Sequence, residues 1–144
     1  MLGRQQIAAL IPHQGAMCLL ESVVAWDGDG IRCRSRSHLD PANPLRRDGQ
    51  LGAICGIEYG LQAAALHGAL WAGSPQPPGY LAALSGILAT AERLDDPRIG
   101  ELDVTASLEL SQPAGLIYGF RLAAADGRSL VTGRATIARP GWPV

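Results

Sequence analysis

The sequence predicts a single α+β domain over residues 1–144, in which an antiparallel sheet curls around one long helix. The first observation is that the only long helical segment, residues 51–71, stands between two groups of strand-like segments. The second is that the strands after this helix follow one another across short turns, as in an antiparallel meander. Strands and helices do not alternate along the chain, so a βαβ architecture with a parallel sheet is excluded.

The segment before the long helix is predicted to contain a short helix, a β-hairpin and a loop. The short helix covers about residues 3–10. Strands at about residues 18–26 and 31–38 flank the sequence Asp-Gly-Asp-Gly, and Asp-Gly pairs tolerate the positive φ angles that a tight hairpin turn requires. Residues 39–50 are rich in proline, asparagine, aspartate and glycine, a composition typical of an ordered loop.

The long helix combines an apolar face with an unusual number of glycines. It contains no proline, but four glycines occur within it, and each costs about 1 kcal/mol relative to alanine in an exposed helix. Gly56, Gly60 and Ala64 recur at four-residue spacing and form a stripe of small side chains. Such a stripe would let a sheet approach the helix backbone closely. We therefore predict a buried central helix.

A proline-rich connector, residues 74–79, leads from the helix into the meander. Its strands are predicted at about residues 80–94, 102–110, 116–124 and 129–138. The alternation of apolar and polar side chains is clearest in the second of these strands, where one face would carry Leu102, Val104, Ala106, Leu108 and Leu110.

Composition and charge exclude several classes of protein. Twelve basic residues, all arginine, balance 13 acidic residues to a net charge of −1, which is not the basic excess of a nucleic-acid-binding protein. The alternating Arg32, Arg34 and Arg36 are interpreted as a solvated strand face. The apolar fraction is 47% and the charged fraction only 17%, so we expect a partner subunit to cover part of the apolar surface.

The cysteines and the apolar segments bear on metal binding and location. Cys18, Cys33 and Cys55 are odd in number and lack metal-ligand spacing, so neither a metal site nor a disulfide framework is expected. No segment approaches the roughly 20 apolar residues of a transmembrane helix. The N-terminal segment is too short and too polar for a signal peptide. We expect a cytoplasmic protein that does not contact a membrane.

Glu58 is the most informative residue because it lies within an apolar helical segment. It is either a surface carboxylate or a group held in an apolar pocket, where it would suit general acid–base catalysis. Gln62, four residues on, shares its helix face. His67 is about half a turn out of phase with Glu58 and cannot meet it on one helix. His38, just before the loop that leads into the helix, is either a surface residue or the histidine of a His–carboxylate pair.

Two segments resemble those of a known family and occur in the same order, and a third segment between them resembles a subgroup of it. The sequence IPHQGAMCLLESVV at residues 11–24 is similar to the LPHRxPxLLLDRV opening of the 3-hydroxyacyl-[acyl-carrier-protein] dehydratases. The sequence IEYGLQAA at residues 57–64 resembles their ExLAQAA helix. NPLRRDG at residues 43–49 resembles a loop of the small dehydratase-like proteins of aryl polyene and related fatty-acid-like pathways. His13 matches the opening motif, for which a structural role is expected.

This resemblance implies the hot-dog fold, in which a curved antiparallel sheet wraps a long helix and two subunits commonly share one continuous sheet. It implies a substrate thioester carried on the phosphopantetheine of acyl carrier protein, or on coenzyme A, and no other cofactor. In the family a histidine of one subunit removes the C2 proton, and a helix carboxylate of the other helps water leave from C3. A backbone N–H at the helix start polarises the thioester carbonyl.

The resemblance carries over residue by residue, with one departure. Glu58 matches the helix carboxylate, Gln62 the polar residue one turn on, and Gly52 the glycine near the helix start. The histidine of the family's HFPG motif would fall at Pro44, and no histidine occupies that loop. We therefore predict either that His38 takes its place through a rearranged loop, or that the protein is not a complete dehydratase.

Three functions remain open from the sequence. The first is a dehydratase with Glu58 and His38 as catalytic residues and Gln62 and Gly52 as substrate-binding residues. The second is an acyl thioesterase of the same fold, in which the helix glutamate activates water without a histidine. The third is a catalytically inactive partner subunit of a dehydratase heterodimer. The sequence leaves both a homodimer and a heterodimer open.

Overall fold

The computed structural model describes residues 1–12, 15–76 and 80–138. His13 and residues 77–79 of the predicted connector lie outside this part of the chain. The described residues form two α-helices and six strands: α1 (Arg4–Leu10), β1 (Ser22–Trp26), β2 (Gly30–Ser35), α2 (Gly56–Ala72), β3 (Tyr80–Ala89), β4 (Leu102–Gln112), β5 (Gly115–Ala123) and β6 (Ser129–Ala138). The predicted order of elements is confirmed.

The six strands form one antiparallel sheet in the order β1-β2-β4-β5-β6-β3. Helix α2 packs against β2, β4, β5 and β6, and the core lies between the helix and these strands. The predicted α+β class, with a sheet around a central helix, is confirmed. Within the described ranges, no helix has the length and apolar character needed to cross a membrane.

Several predicted boundaries are corrected by the structure. β1 begins at Ser22 rather than residue 18, because both backbone groups of Leu19 bond to side chains, its N–H to Gln62 and its carbonyl to Ser35. β2 ends at Ser35, and His38 lies in a following 3₁₀ turn, Ser37–Leu39. A second 3₁₀ turn, Ala53–Cys55, precedes α2.

The glycine stripe of α2 allows the sheet to pack directly against the helix. A Cβ atom at Gly60 would lie 2.5 Å from Cδ1 of Phe120, and a Cβ atom at Gly56 would lie 3.1 Å from side-chain atoms of Leu122 and Val131. These distances are shorter than ordinary van der Waals contact. The stripe therefore sets how closely β5 and β6 approach α2, as its spacing predicts.

Two glycine-to-alanine substitutions on the same helix are expected to have opposite effects on stability. Gly60→Ala would force the buried Phe120 ring to move, and we expect it to lower the free energy of unfolding by about 1–3 kcal/mol. At Gly68 no atom lies within 4 Å of the added Cβ, so Gly68→Ala should raise the free energy by about 0.5–1 kcal/mol. Urea unfolding of both variants measures the difference, and equal shifts would contradict the packing argument.

Candidate active site

Glu58 lies in the first turn of α2, on the least buried face of this helix. Its neighbours on that face are apolar: Ile54 is 62% exposed, and Ile57 and Leu61 are partly exposed. Within the part of the chain that the structure describes, no group forms a hydrogen bond or ion pair with the Glu58 carboxylate. The carboxylate is thus free to act on a ligand beside an apolar surface, near the positive end of the helix dipole.

Gly52 lies directly before the helical segment and presents a free backbone N–H. Two backbone hydrogen bonds, of 3.0 and 2.8 Å, join residues 51–53 to residues 92–94, with Gly52 at the centre of the pairing. In this antiparallel register the central N–H points away from the paired segment. No described residue accepts a hydrogen bond from it, and a Cβ at Gly52 would meet no atom within 4 Å. The Gly52 N–H at the helix start is therefore available to an acceptor on a ligand.

The side chain of Gln62 is 1% exposed and fully engaged with backbone. Its Oε1 accepts a hydrogen bond from the Leu19 N–H (2.9 Å), and its Nε2 donates to the Met17 carbonyl (2.7 Å). These bonds fix the extended segment before β1 against α2. A role for Gln62 in substrate binding stays a prediction, and its contacts favour a role in holding this segment.

A buried polar network that the sequence analysis missed holds the NPLRRDG loop. The Tyr59 hydroxyl lies 2.8 Å from Oγ of Ser37 and accepts a hydrogen bond from Nδ2 of Asn43 (3.1 Å). Oδ1 of Asn43 accepts from the Leu45 N–H (2.9 Å). Burial raises the pKa of the Tyr59 hydroxyl, which keeps it neutral. A tyrosine within an apolar helical segment was the available signal, because a buried hydroxyl requires a partner.

His38 is completely buried and does not contact Glu58 within the chain. Its Nε2 donates to the Gly100 carbonyl (2.7 Å), and its Nδ1 has no partner among the described residues. Burial lowers the pKa of His38 to about 4. The hydrogen bond to Gly100 opposes this shift, and the positive charges of Arg36 and Arg46 lower the pKa by smaller amounts. The ring is therefore neutral at pH 7. A catalytic role stays a prediction, and these contacts favour a structural one.

The low pKa of His38 predicts a loss of stability in acid. The unfolded side chain binds a proton below about pH 6.5, whereas the folded one does so only below about pH 4. The contribution of His38 is therefore fully present above pH 6.5 and is lost as the pH falls to 4, by up to about 3 kcal/mol. His38→Gln keeps an N–H donor without this titration. Urea unfolding between pH 7 and 4 should show a steeper loss for the wild type, and parallel curves would contradict the assignment.

His67 is also buried and occupied. Its Nε2 donates to the Asp27 carbonyl (2.7 Å), and its Nδ1 lies 2.6 Å from the Tyr118 hydroxyl. The ring is 1% exposed and ties α2 to the β1–β2 hairpin and to β5. Neither of the two histidines in the described ranges therefore presents an exposed ring nitrogen to a substrate.

The described cysteines and acidic residues do not suggest other chemistry. Burial raises the pKa of Cys33 to about 12 and also raises that of Cys18, so both remain protonated thiols. Across residues 1–12, 15–76 and 80–138, no three His, Cys, Asp or Glu side chains are grouped to hold a metal ion. The features with chemical capacity are thus the Glu58 carboxylate and the Gly52 N–H, at the start of one helix.

Solved structures with the same architecture include a dehydratase and thioesterases. A chain of the dehydratase heterocomplex ApeI:P from Xenorhabdus doucetiae matches with a TM-score of 0.80 at 20% identity, covering 94% of this chain and 91% of that chain. A mutant of the thioesterase SAV0944 from Staphylococcus aureus subsp. aureus Mu50 matches with a TM-score of 0.57 at 14% identity, covering 81% and 90%.

A hypothetical thioesterase from Streptococcus pneumoniae TIGR4, solved with coenzyme A, matches with a TM-score of 0.60 at 13% identity, covering 85% of this chain and 88% of that chain. At these identities the likeness shows the fold alone. It confirms the hot-dog fold that the sequence resemblance implies.

No curated protein matches the chain. A family model described as ApeP dehydratase, of the ApeP-like group, matches residues 5–142 and so spans nearly the whole sequence. The match extends well beyond the three short segments that carry the resemblance, and it includes both Gly52 and Glu58. The chain therefore belongs to the ApeP-like dehydratase family.

Proposed function

We propose that this protein is one subunit of a heterodimeric dehydratase that acts on 3-hydroxyacyl thioesters of acyl carrier protein, in aryl polyene or related fatty-acid-like biosynthesis. One observation carries the proposal. Glu58 and Gly52 offer a free carboxylate and a free N–H, while both described histidines are buried and bonded. The chain thus supplies the acid and the carbonyl-binding group, and an elimination also requires a base.

The reaction assigned to this site is the loss of water from C2 and C3 of the acyl chain. A histidine of the partner subunit removes the C2 proton, and the negative charge that develops on the thioester oxygen is stabilised by the Gly52 N–H. The carboxyl group of Glu58 delivers a proton to the C3 hydroxyl, which leaves as water while the C2–C3 double bond forms. Proton exchange with solvent then restores both groups.

The edge strand β3 supports assembly with a second hot-dog subunit. Among the described residues it pairs only with β6, so its other side offers unpaired backbone groups along its ten residues. Four of its large apolar side chains are exposed, namely Tyr80, Leu81, Leu84 and Leu88. A partner strand pairing here would cover them and continue the sheet. The related ApeI:P structure is a heterocomplex, which supports an unlike partner over a second copy.

The substrate carrier and the compartment belong to the same proposal. Acyl carrier protein would present the thioester on its phosphopantetheine arm, so the protein itself needs no further cofactor. The three cysteines are free, which fits a reducing compartment, and we propose the cytoplasm.

An acyl thioesterase is the second candidate, because thioesterases are among the structural neighbours and a helix glutamate can activate water. An assay of the assembled complex separates the two. A 3-hydroxyacyl thioester and the matching saturated acyl thioester are supplied on carrier protein and on pantetheine. A dehydratase produces enoyl absorbance from the first substrate and no free thiol from either. Thiol release from both substrates would replace the dehydratase proposal with the thioesterase.

A further inference from the structure

Asp95 lies outside the helix but contacts the backbone just before it. Its side chain is only 4% exposed. Oδ1 accepts hydrogen bonds from the Leu51 N–H (3.0 Å) and from Nε of Arg93 (3.0 Å), and Oδ2 pairs with Nη2 of Arg93. The Arg93 guanidinium, followed by the Leu51 N–H, holds the pKa of this carboxyl well below its usual range. Asp95 is therefore an ionised anchor for the residue that precedes Gly52.

A second arginine links the same carboxylate to the NPLRRDG loop. Nη1 of Arg46 lies 3.9 Å from Oδ2 of Asp95 and donates to the Gly49 carbonyl (2.9 Å). Nη2 of Arg46 donates to the His38 carbonyl (3.1 Å). The Arg46 side chain is only 14% exposed, so these contacts are shielded from water and screened little by salt.

The consequence for Gly52 follows from the local register. The Leu94 N–H donates to the Leu51 carbonyl (2.8 Å), and the Ala53 N–H donates to the Glu92 carbonyl (3.0 Å). With Asp95 also holding the Leu51 N–H, both backbone groups of Leu51 are fixed. The Leu51 carbonyl and the Gly52 N–H share one peptide plane, which the Leu94 N–H holds directly, while Asp95 holds the peptide before it and the Ala53 N–H fixes the peptide after it.

We propose that Asp95 is a positioning residue that aims the Gly52 N–H at the thioester carbonyl of the substrate. The inference rests on the proposed function, because it assigns that N–H to the carbonyl. Asp95 touches neither the substrate nor a reacting atom and acts through Leu51. A general structural role would lower stability alone, whereas a positioning role predicts a selective loss of carbonyl polarisation and of kcat.

Asp95→Ala in the complex with its partner subunit tests this proposal, with Asp96→Asn as the matched control. Asp96 is the adjacent acidic residue, and within the described chain its carboxylate accepts hydrogen bonds only from Arg98, in its own turn. Asp95→Asn retains an oxygen for the Leu51 N–H but loses the negative charge. The C=O stretch of a bound saturated acyl-pantetheine thioester reports carbonyl polarisation, and kcat and KM are measured with the 3-hydroxyacyl thioester.

We expect Asp95→Ala to lower kcat by about 10- to 100-fold with little change in KM. The thioester C=O frequency should move toward its value in water, and amide exchange should accelerate at Leu51, whose N–H loses its acceptor, but not in β4. Asp95→Asn should recover part of kcat, and Asp96→Asn should match the wild type. Wild-type kcat and frequency in Asp95→Ala would overturn the positioning role alone. A wild-type complex that neither dehydrates nor binds the thioester would overturn the proposed function and this inference together.

Discussion

Glu58→Gln is expected to lower kcat of the assembled dehydratase by about two to four orders of magnitude, the usual contribution of a general acid. The substitution replaces an oxygen by an NH₂ group of nearly the same size, so packing should not change. The Glu58 carboxylate has no partner in the described chain whose loss would destabilise the fold. Enoyl absorbance at saturating 3-hydroxyacyl thioester measures the loss, and urea unfolding verifies the stability.

Glu101→Gln is the matched control for this substitution. Glu101 is a surface carboxylate that forms ion pairs with Arg34 and Arg36 at 3.8 and 3.6 Å. Exposed pairs of this kind contribute little to stability, so full activity is expected. A Glu58→Gln complex with the dehydration rate of the wild type would remove Glu58 from the mechanism. If the wild-type complex releases free thiol and Glu58→Gln abolishes that release, Glu58 serves a thioesterase instead.

The architecture could be predicted because its determinants are local. The Asp-Gly hairpin and the stripe of Gly56 and Gly60 specify a turn and a close helix–sheet contact from a few neighbouring residues. The alternation of apolar and polar side chains in residues 102–110 likewise depends only on residues close in sequence. These features define the order of elements and the wrapping of the sheet, both of which the structure confirms.

The surroundings of the candidate site could not be predicted, because they depend on contacts between distant residues. Gln62 is four residues from Glu58, so the spacing predicts that both lie on one face of the helix. Four residues, however, turn a helix by about 40° more than a full turn. This difference directs Gln62 to the buried Leu19. For His38 the sequence left open a surface residue or the histidine of a His–carboxylate pair, and the structure buries it completely. The chain instead turns after β2, and Gly100, 62 residues further on, accepts its hydrogen bond.

The isolated chain is expected to dehydrate 3-hydroxyacyl thioesters at least about 100-fold more slowly than the complex, because its described histidines cannot act as the base. Mixing it with a hot-dog subunit that carries an exposed active-site histidine should restore activity. The same mixture should form a dimer that buries more than about 1,000 Å², measurable by light scattering. Full activity of the chain alone would contradict this division of roles and direct attention to His13.

A charge on the edge strand tests whether assembly itself produces the activity. Leu84→Arg places an arginine in the middle of β3, where pairing with a partner strand would bury it, and we expect both the dimer and the activity to be lost. Leu110→Arg is the control, since Leu110 has a similar exposure, 43% against 39%, but lies on β4, which β5 and β6 separate from β3. If both variants assemble and turn over normally, the partner does not bind at β3. If only Leu84→Arg fails, and Glu58→Gln still assembles, the same interface that completes the sheet also brings the partner's histidine to Glu58.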